Sequence, residues 1–250
     1  MKEILQKILK TLKIVSNNFK LFTSFGSKPT IVALAMIVCL SKVNGQTSPP
    51  VEALSDWTAG ATKAKENGKN RMLVVVVGTE HSSFISADSI KYGGIKMTKL
   101  VEAAQGDTYR EYSSIFTLND AGITAADESG TITVSWSAAL GEGYSISSAF
   151  YANVDQSVNP VDTFSTSGSS PLKVPAMNLG KGDLYILGTA LANNFTSIDY
   201  DFKEELNQPK NSTVDGVVLK WGNTLIHSKV GTGVVDSANI VTSGGRTALT

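Results

Sequence analysis

Met72-Leu73-Val74-Val75-Val76-Val77 is the stretch on which the fold turns. Its six apolar residues give a strand no polar face to turn toward water. Such a strand lies inside a sheet and is covered on both sides. Leu184-Tyr185-Ile186-Leu187 reads the same way. Outward from these runs the period is two. Ile132, Val134 and Trp136 share one face, and Thr131, Thr133 and Ser135 the other. Ile146, Ser148, Phe150, Ala152 and Val154 alternate with Ser145, Ser147, Ala149, Tyr151 and Asn153, which predicts one core face and one small, polar face. Val217–Trp221 and Thr224–Lys229, joined by Gly222-Asn223, read as a hairpin, because glycine tolerates the positive φ of a two-residue turn. Further strands are expected near 57–64, 88–92, 96–102, 109–118, 172–178, 195–201 and 234–241. From Asp56 onward no eleven-residue window carries a helical period, whereas Ile4, Leu5, Ile8, Leu9 and Leu12 in the leader recur at helical spacing.

About a dozen short strands separated by turn residues predict an all-β fold. The architecture expected is an antiparallel two-sheet sandwich of the jelly-roll or lectin type, preceded by a signal peptide. A closed barrel is the alternative. The strands are too short for the apolar band of a transmembrane barrel.

The chain has 250 residues, with 22 Lys and Arg against 22 Asp and Glu. That balance hides an asymmetry. Residues 1–45 hold seven lysines and one acid, Glu3, leaving 15 basic and 21 acidic groups downstream. The apolar run Ile31–Leu40 follows the basic stretch. Ten residues suit a signal h-region and are too few to span a bilayer. Cleavage is expected between Gly45 and Gln46. An upstream mis-assigned start or an uncleaved anchor is the alternative. Cys39, the one cysteine, lies inside the apolar run. The mature chain then lacks cysteine, which suits an oxidising compartment, and retains no membrane span. The domains expected are the leader 1–45, a linker 46–55 and a β domain 56–250. Gly244–Thr250 reads as a turn entering a new strand, which predicts a truncated last strand and an open sheet edge. An acidic body without basic patches excludes a nucleic-acid partner.

Four strings stand in order along the body: Asn70-Arg71-Met72-Leu73-Val74-Val75, Ile90-Lys91-Tyr92-Gly93-Gly94, Phe150-Tyr151-Ala152-Asn153-Val154-Asp155-Gln156 and Gly182-Asp183-Leu184. The set resembles a module repeated in large secreted and surface proteins of bacteria, which reads NRLLVV, V-x-YGG, F-x-GVDQ-x-x-P and GDLVV. Here Asn153 replaces a glycine, and Pro160 comes one residue later than in the pattern. The resemblance covers most of residues 56–250. It implies an exported β-sandwich beside adhesion or sorting domains and brings no catalytic residues with it. Tyr92, Gly93 and Gly94 read as a strand-end turn. Asp155 and Gln156 read as side chains bonding backbone amides in the turn before Pro160.

Catalytic chemistry is thin. His81 and His227 are the only histidines, and no Gly-x-Ser-x-Gly elbow occurs. His227 is expected on a solvated strand face and His81 in a polar loop. The acids weighed for a carboxylate pair are Glu102, Glu111, Asp127, Glu128, Asp199, Asp201, Glu204 and Glu205. Asp199-Tyr200-Asp201 has the spacing that puts two acids on one strand face. The stretch Asp199–Glu205, including Glu204, offers oxygen ligands to calcium, as does Asn119-Asp120. Calcium is the one cofactor this pattern admits. Trp57 and Trp221 are candidates for exposed rings that stack on sugars, and Trp136 reads as core.

The reading is a non-catalytic exported module for adhesion, spacing or carbohydrate contact, with a polysaccharide or a cell-surface protein as partner. The alternative is a glycan-active hydrolase or lyase using acids on a concave sheet.

Overall fold

The computed structural model describes residues 49–105, 110–140 and 143–156. Beyond these it describes 165–169, 172–178, 182–191, 195–198, 203–208, 213–214, 217–218, 223–230, 235–242 and 246–249. They belong to one compact unit, Pro49–Thr250. The leader, with Gly45 and Gln46, lies outside the described residues.

The chain is predominantly β, and every strand pairing among the described residues is antiparallel. In order the first strands are β1 (Glu52–Ala53), β2 (Thr58–Ala59), β3 (Met72–His81), β4 (Ala87–Tyr92), β5 (Ile95–Lys96), β6 (Thr98–Gln105) and β7 (Arg110–Asn119). A six-residue helix, α1 (Asp120–Ala125), precedes β8 (Ile132–Trp136) and β9 (Tyr144–Ala152). Then come β10 (Thr166–Ser169), β11 (Leu172–Asn178), β12 (Leu184–Leu191), β13 (Phe195–Ile198) and β14 (Lys203–Gln208). The last are β15 (Thr213–Val214), β16 (Val217–Val218), β17 (Asn223–Val230), β18 (Val235–Thr242) and β19 (Arg246–Leu249).

Among the described residues these strands pair into five sheets. The central one runs β1-β9-β3-β7-β6, with β2 also on β9. On β3 the residues Met72–Glu80 are all buried, as a strand without a polar face requires. Leu73, Val75 and Val77 enter a core shared with the small sheet β5-β4-β8 through Ile90, Tyr92 and Ile132, and with Ile123 of α1. Met72, Val74 and Val76 enter a second core, shared with Ile226, Leu184 and Leu206 of the sheet β10-β19-β12-β17-β14. The remaining sheets are β11-β18-β13 and β15-β16. Each fully buried Val or Leu contributes on the order of 2 kcal/mol, so the two-sided burial of β3 holds the layers together.

That second layer changes the reading of β9. Its small face is not solvated: Ser145, Ser147, Ala149 and Tyr151 are all buried, because sheet β10-β19-β12-β17-β14 covers them. Small side chains let the two sheets approach closely. The hairpin expected across Gly222-Asn223 does not form. Val217-Val218 pairs with Thr213-Val214, and β17 pairs with β12 and β14. Leu225 and Ile226 are both fully buried, and a strand apolar on both faces belongs between two neighbours. The strand expected over 57–64 shrinks to Thr58–Ala59 plus a bridge from Thr62 to Thr131, because Gly60 sits at φ 121° and breaks the extended run. At the other end, β19 is paired on both sides, with β10 and with β12.

Two of the edge strands, β6 and β14, are irregular. On β6 the pairing with β7 skips Leu100, and Lys99 bonds Glu102 at 2.7 Å. On β14 the pairing with β17 skips Glu205, which bonds Lys203 at 2.8 Å. Each skipped residue is a β-bulge that twists its strand away from a flat edge.

Candidate functional site at the β3–β4 end

At its C-terminal end β3 turns outward. The His81 Nδ1 accepts from Ser83 N at 3.1 Å, which puts the ring proton of the neutral form on Nε2. Thr79 Oγ1 donates to the Ile85 carbonyl at 3.1 Å, and Ile85 is buried. These bonds pin the loop from both ends and leave Phe84 between them with its ring outward. Phe84 is 46% exposed, the one large exposed apolar side chain among the described residues. Its ring stands edge-on to Tyr112, with centroids 5.9 Å apart. Tyr112 is itself buried, and its hydroxyl donates to Glu102 Oε2 at 2.8 Å. Burial pushes the Tyr112 phenol far above its ordinary range, so it is a donor at any ordinary pH. Lys99, hydrogen-bonded to Glu102, holds that carboxyl below the usual carboxylate range.

A second ring pair lies at the same end. Trp136 is half-buried and tilts against Tyr144, centroids 5.3 Å apart. Thr79 on β3 pairs with Tyr112 on one side and Tyr144 on the other, so the two tyrosines flank it in one row. Ser86 and Ser137 close the rim: Ser137 N donates to the Ser86 carbonyl at 2.9 Å, and Ser86 N donates to Ser137 Oγ at 3.0 Å. Trp136, expected in the core, is therefore at its border.

One residue further along β3, on the opposite face, Glu80 stands directly across from Glu111. Both are buried, Glu111 completely. Directly opposed residues have Cβ atoms about 5 Å apart. The sequence offered Glu111 as a candidate acid but left Glu80 in a loop. The β3–β7 register brings them together. The pair faces the covering sheet, so a polymer has no path to it.

The other residues singled out in the sequence fall in three places. Tyr92-Gly93-Gly94 forms the β4–β5 turn, with Tyr92 paired to Ile95 and φ of 49° and 80° at the glycines. A Cβ on Gly93 would stand 2.8 Å from Asp127 N, while Gly94 faces open space. Tyr92 is fully buried; its hydroxyl donates to the Lys63 carbonyl at 2.8 Å, and burial pushes the phenol up to about 12. Gln156 reaches well past its own turn. Its Oε1 accepts from Asp120 N at 2.8 Å, and its Nε2 donates to the Val154 carbonyl at 2.8 Å and the Arg71 carbonyl at 3.3 Å. Asp155 beside it is exposed, and Pro160 lies outside the described residues. Arg71 bonds Asp120 through Nε, the Glu66 carbonyl at 2.9 Å and Thr124 Oγ1 at 3.0 Å. Asn119 caps α1, accepting from Gly122 N at 3.1 Å. Asn119 and Asp120, weighed as calcium ligands, are thus engaged by the helix and by Arg71. Asn153, in the glycine position of the pattern, sits at φ 60°, which asparagine tolerates better than most residues.

Glu204 is exposed on β14, across from His227. Asp199, Asp201 and Trp221 lie outside the described residues. His227 is not solvated: it is 1% exposed, and burial lowers its pKa to about 4. On β17 the side chains of residues 225–228 are all buried. Trp57 is buried as well, donating from Nε1 to the Tyr151 hydroxyl at 2.8 Å. Among the described residues no three His, Cys, Asp or Glu side chains are grouped to hold a metal ion, and no helix is long and apolar enough to cross a membrane.

No family model matches this chain, and neither a curated protein nor a solved structure does.

Proposed function

We propose that the chain is an exported, non-catalytic β module of the sandwich type, serving adhesion, spacing or carbohydrate contact at a bacterial surface. The observation that carries this reading is the Arg71–Asp120–Gln156 cluster. Arg71 comes from the first of the four ordered strings and Gln156 from the third, and both bond the start of α1. The strings that give the chain its resemblance to surface modules therefore act as architectural ties. The central sheet covered on both faces supplies the rigidity a spacer or display domain needs. The basic leader, the ten-residue apolar run and cleavage between Gly45 and Gln46 belong to the same proposal, as does residence outside the cell.

The reading is tested by expressing the full chain with a C-terminal tag in a bacterial host and fractionating it. The expected result is a band shortened by about 45 residues in the exported fraction, releasing no reducing ends from polysaccharides. Full-length protein retained in the cytoplasm overturns export. Sustained release of reducing ends overturns the non-catalytic reading.

A further inference from the structure

The rings at the β3–β4 end are arranged in a way that a scaffold does not require. Phe84 keeps 46% of its surface open while its ring leans on Tyr112, and two hydrogen bonds hold its loop in that pose. Phe84 rests on Tyr112 and Trp136 rests on Tyr144. The two supporting tyrosines lie two strands apart with β3 between them, a separation of about 10 Å. That is the reach of a disaccharide along an extended glycan.

The surroundings of the rings decide the class of ligand. Ser82, Ser83 and Ser86 stand beside Phe84 along the chain, and Ser137, bonded to Ser86, follows Trp136. A protein partner is recognised by a contiguous apolar centre with a polar rim. Here the rings are separated and each is set among hydroxyls. A pyranose has that inverse pattern, an apolar C–H face to lie on a ring and hydroxyls around its edge to bond with neighbours. His81 adds an Nε2–H donor one turn of chain from Phe84.

Resting on the proposed surface role, we propose that Phe84 and Trp136 form a two-ring platform for an extended, neutral glycan, with the His81 Nε2–H and the rim serines bonding its hydroxyls. Binding is open-sided, so affinity is modest and rises with chain length until both rings are covered.

The test is titration calorimetry of the full-length protein with cello-, xylo- and manno-oligosaccharides of two to six units. Phe84→Ala, Trp136→Phe and Trp136→Ala are measured beside it, each with a thermal melt. Phe84 is exposed, so Phe84→Ala is expected to melt with the parent. At least one series is expected to bind, more tightly from two units to four. Phe84→Ala is expected to weaken it about tenfold (about 1.4 kcal/mol), with Trp136→Ala at least as damaging and Trp136→Phe milder. Undiminished binding in both alanine variants overturns the platform and leaves carbohydrate contact standing elsewhere on the module. No binding by the parent to any series also overturns the platform, while the fractionation result decides separately whether the chain is a surface module.

Discussion

Arg71 Nε bonds Asp120 Oδ1 across 49 residues of sequence, tying the entry of the central strand to the first turn of the only helix among the described residues. The same guanidinium bonds the Glu66 carbonyl, and Gln156 bridges the two backbones. Asp120 also lies at the helix N-terminus, where a negative charge is favoured. Arg71→Ala leaves the Glu66 carbonyl and the acid without their partner. The expected loss is about 2 kcal/mol, read from urea denaturation. A loss below about 0.5 kcal/mol, the range of ordinary surface substitutions, would show that the tie is ornamental.

The two glycines of the β4–β5 turn make a matched pair. Both sit at positive φ, but only Gly93 lies against backbone. Gly94→Ala is expected to cost about 1 kcal/mol, the strain of the left-handed region alone. Gly93→Ala adds a clash with Asp127 and is expected to cost about 3 kcal/mol or to prevent folding. Equal costs in thermal melts would mean that the 126–131 loop gives way freely.

His227 gives the fold an acid sensitivity. Its pKa is lowered to about 4 by burial, against about 6.5 in the unfolded chain. Above pH 6.5 both states are neutral and the residue is silent. As pH falls from 6.5 toward 4 the unfolded chain gains a proton that the folded one does not, so stability drops, by at most about 3 kcal/mol. The slope of melting temperature against pH between 6.5 and 4 is expected to flatten in His227→Leu. An unchanged slope would place the acid response entirely on carboxyls.

Tyr92→Phe removes a hydroxyl from a buried site and leaves the Lys63 carbonyl without its donor. The expected cost near neutrality is about 1–2 kcal/mol. The parent carries a second signature. Its phenol stays protonated to about 12 while the unfolded one ionises near 10. The contribution is therefore whole below pH 10 and is lost as pH rises toward 12. The variant is expected to lose less stability than the parent over that window, and parallel curves would assign the alkaline loss to other groups.

The parts of the fold that could be read from sequence are those fixed by neighbours along the chain. Met72–Val77 shows its two-sided burial because both alternating faces are apolar. Tyr92-Gly93-Gly94 shows its turn because adjacent glycines accept two positive φ angles. The parts that escaped depend on which strand lies beside which. His227 looks solvated until β17 is placed between β12 and β14. Glu80 and Glu111 look unrelated until a ten-residue register sets them face to face. Phe84 had no signal of its own. One phenylalanine in a serine-rich loop reads as nothing until Thr79 and His81 are seen to hold that loop.

The bulges at Leu100 and Glu205 bear on life in a crowd. A protein displayed in many copies, or repeated along one chain, meets its own likeness at high local concentration, where flat strand borders stitch into fibres. Here one border strand of each large sheet, β6 and β14, carries an extra residue and an ion pair at the place where a neighbour would have to dock. At these two borders a second copy of the chain finds no flat strand to extend.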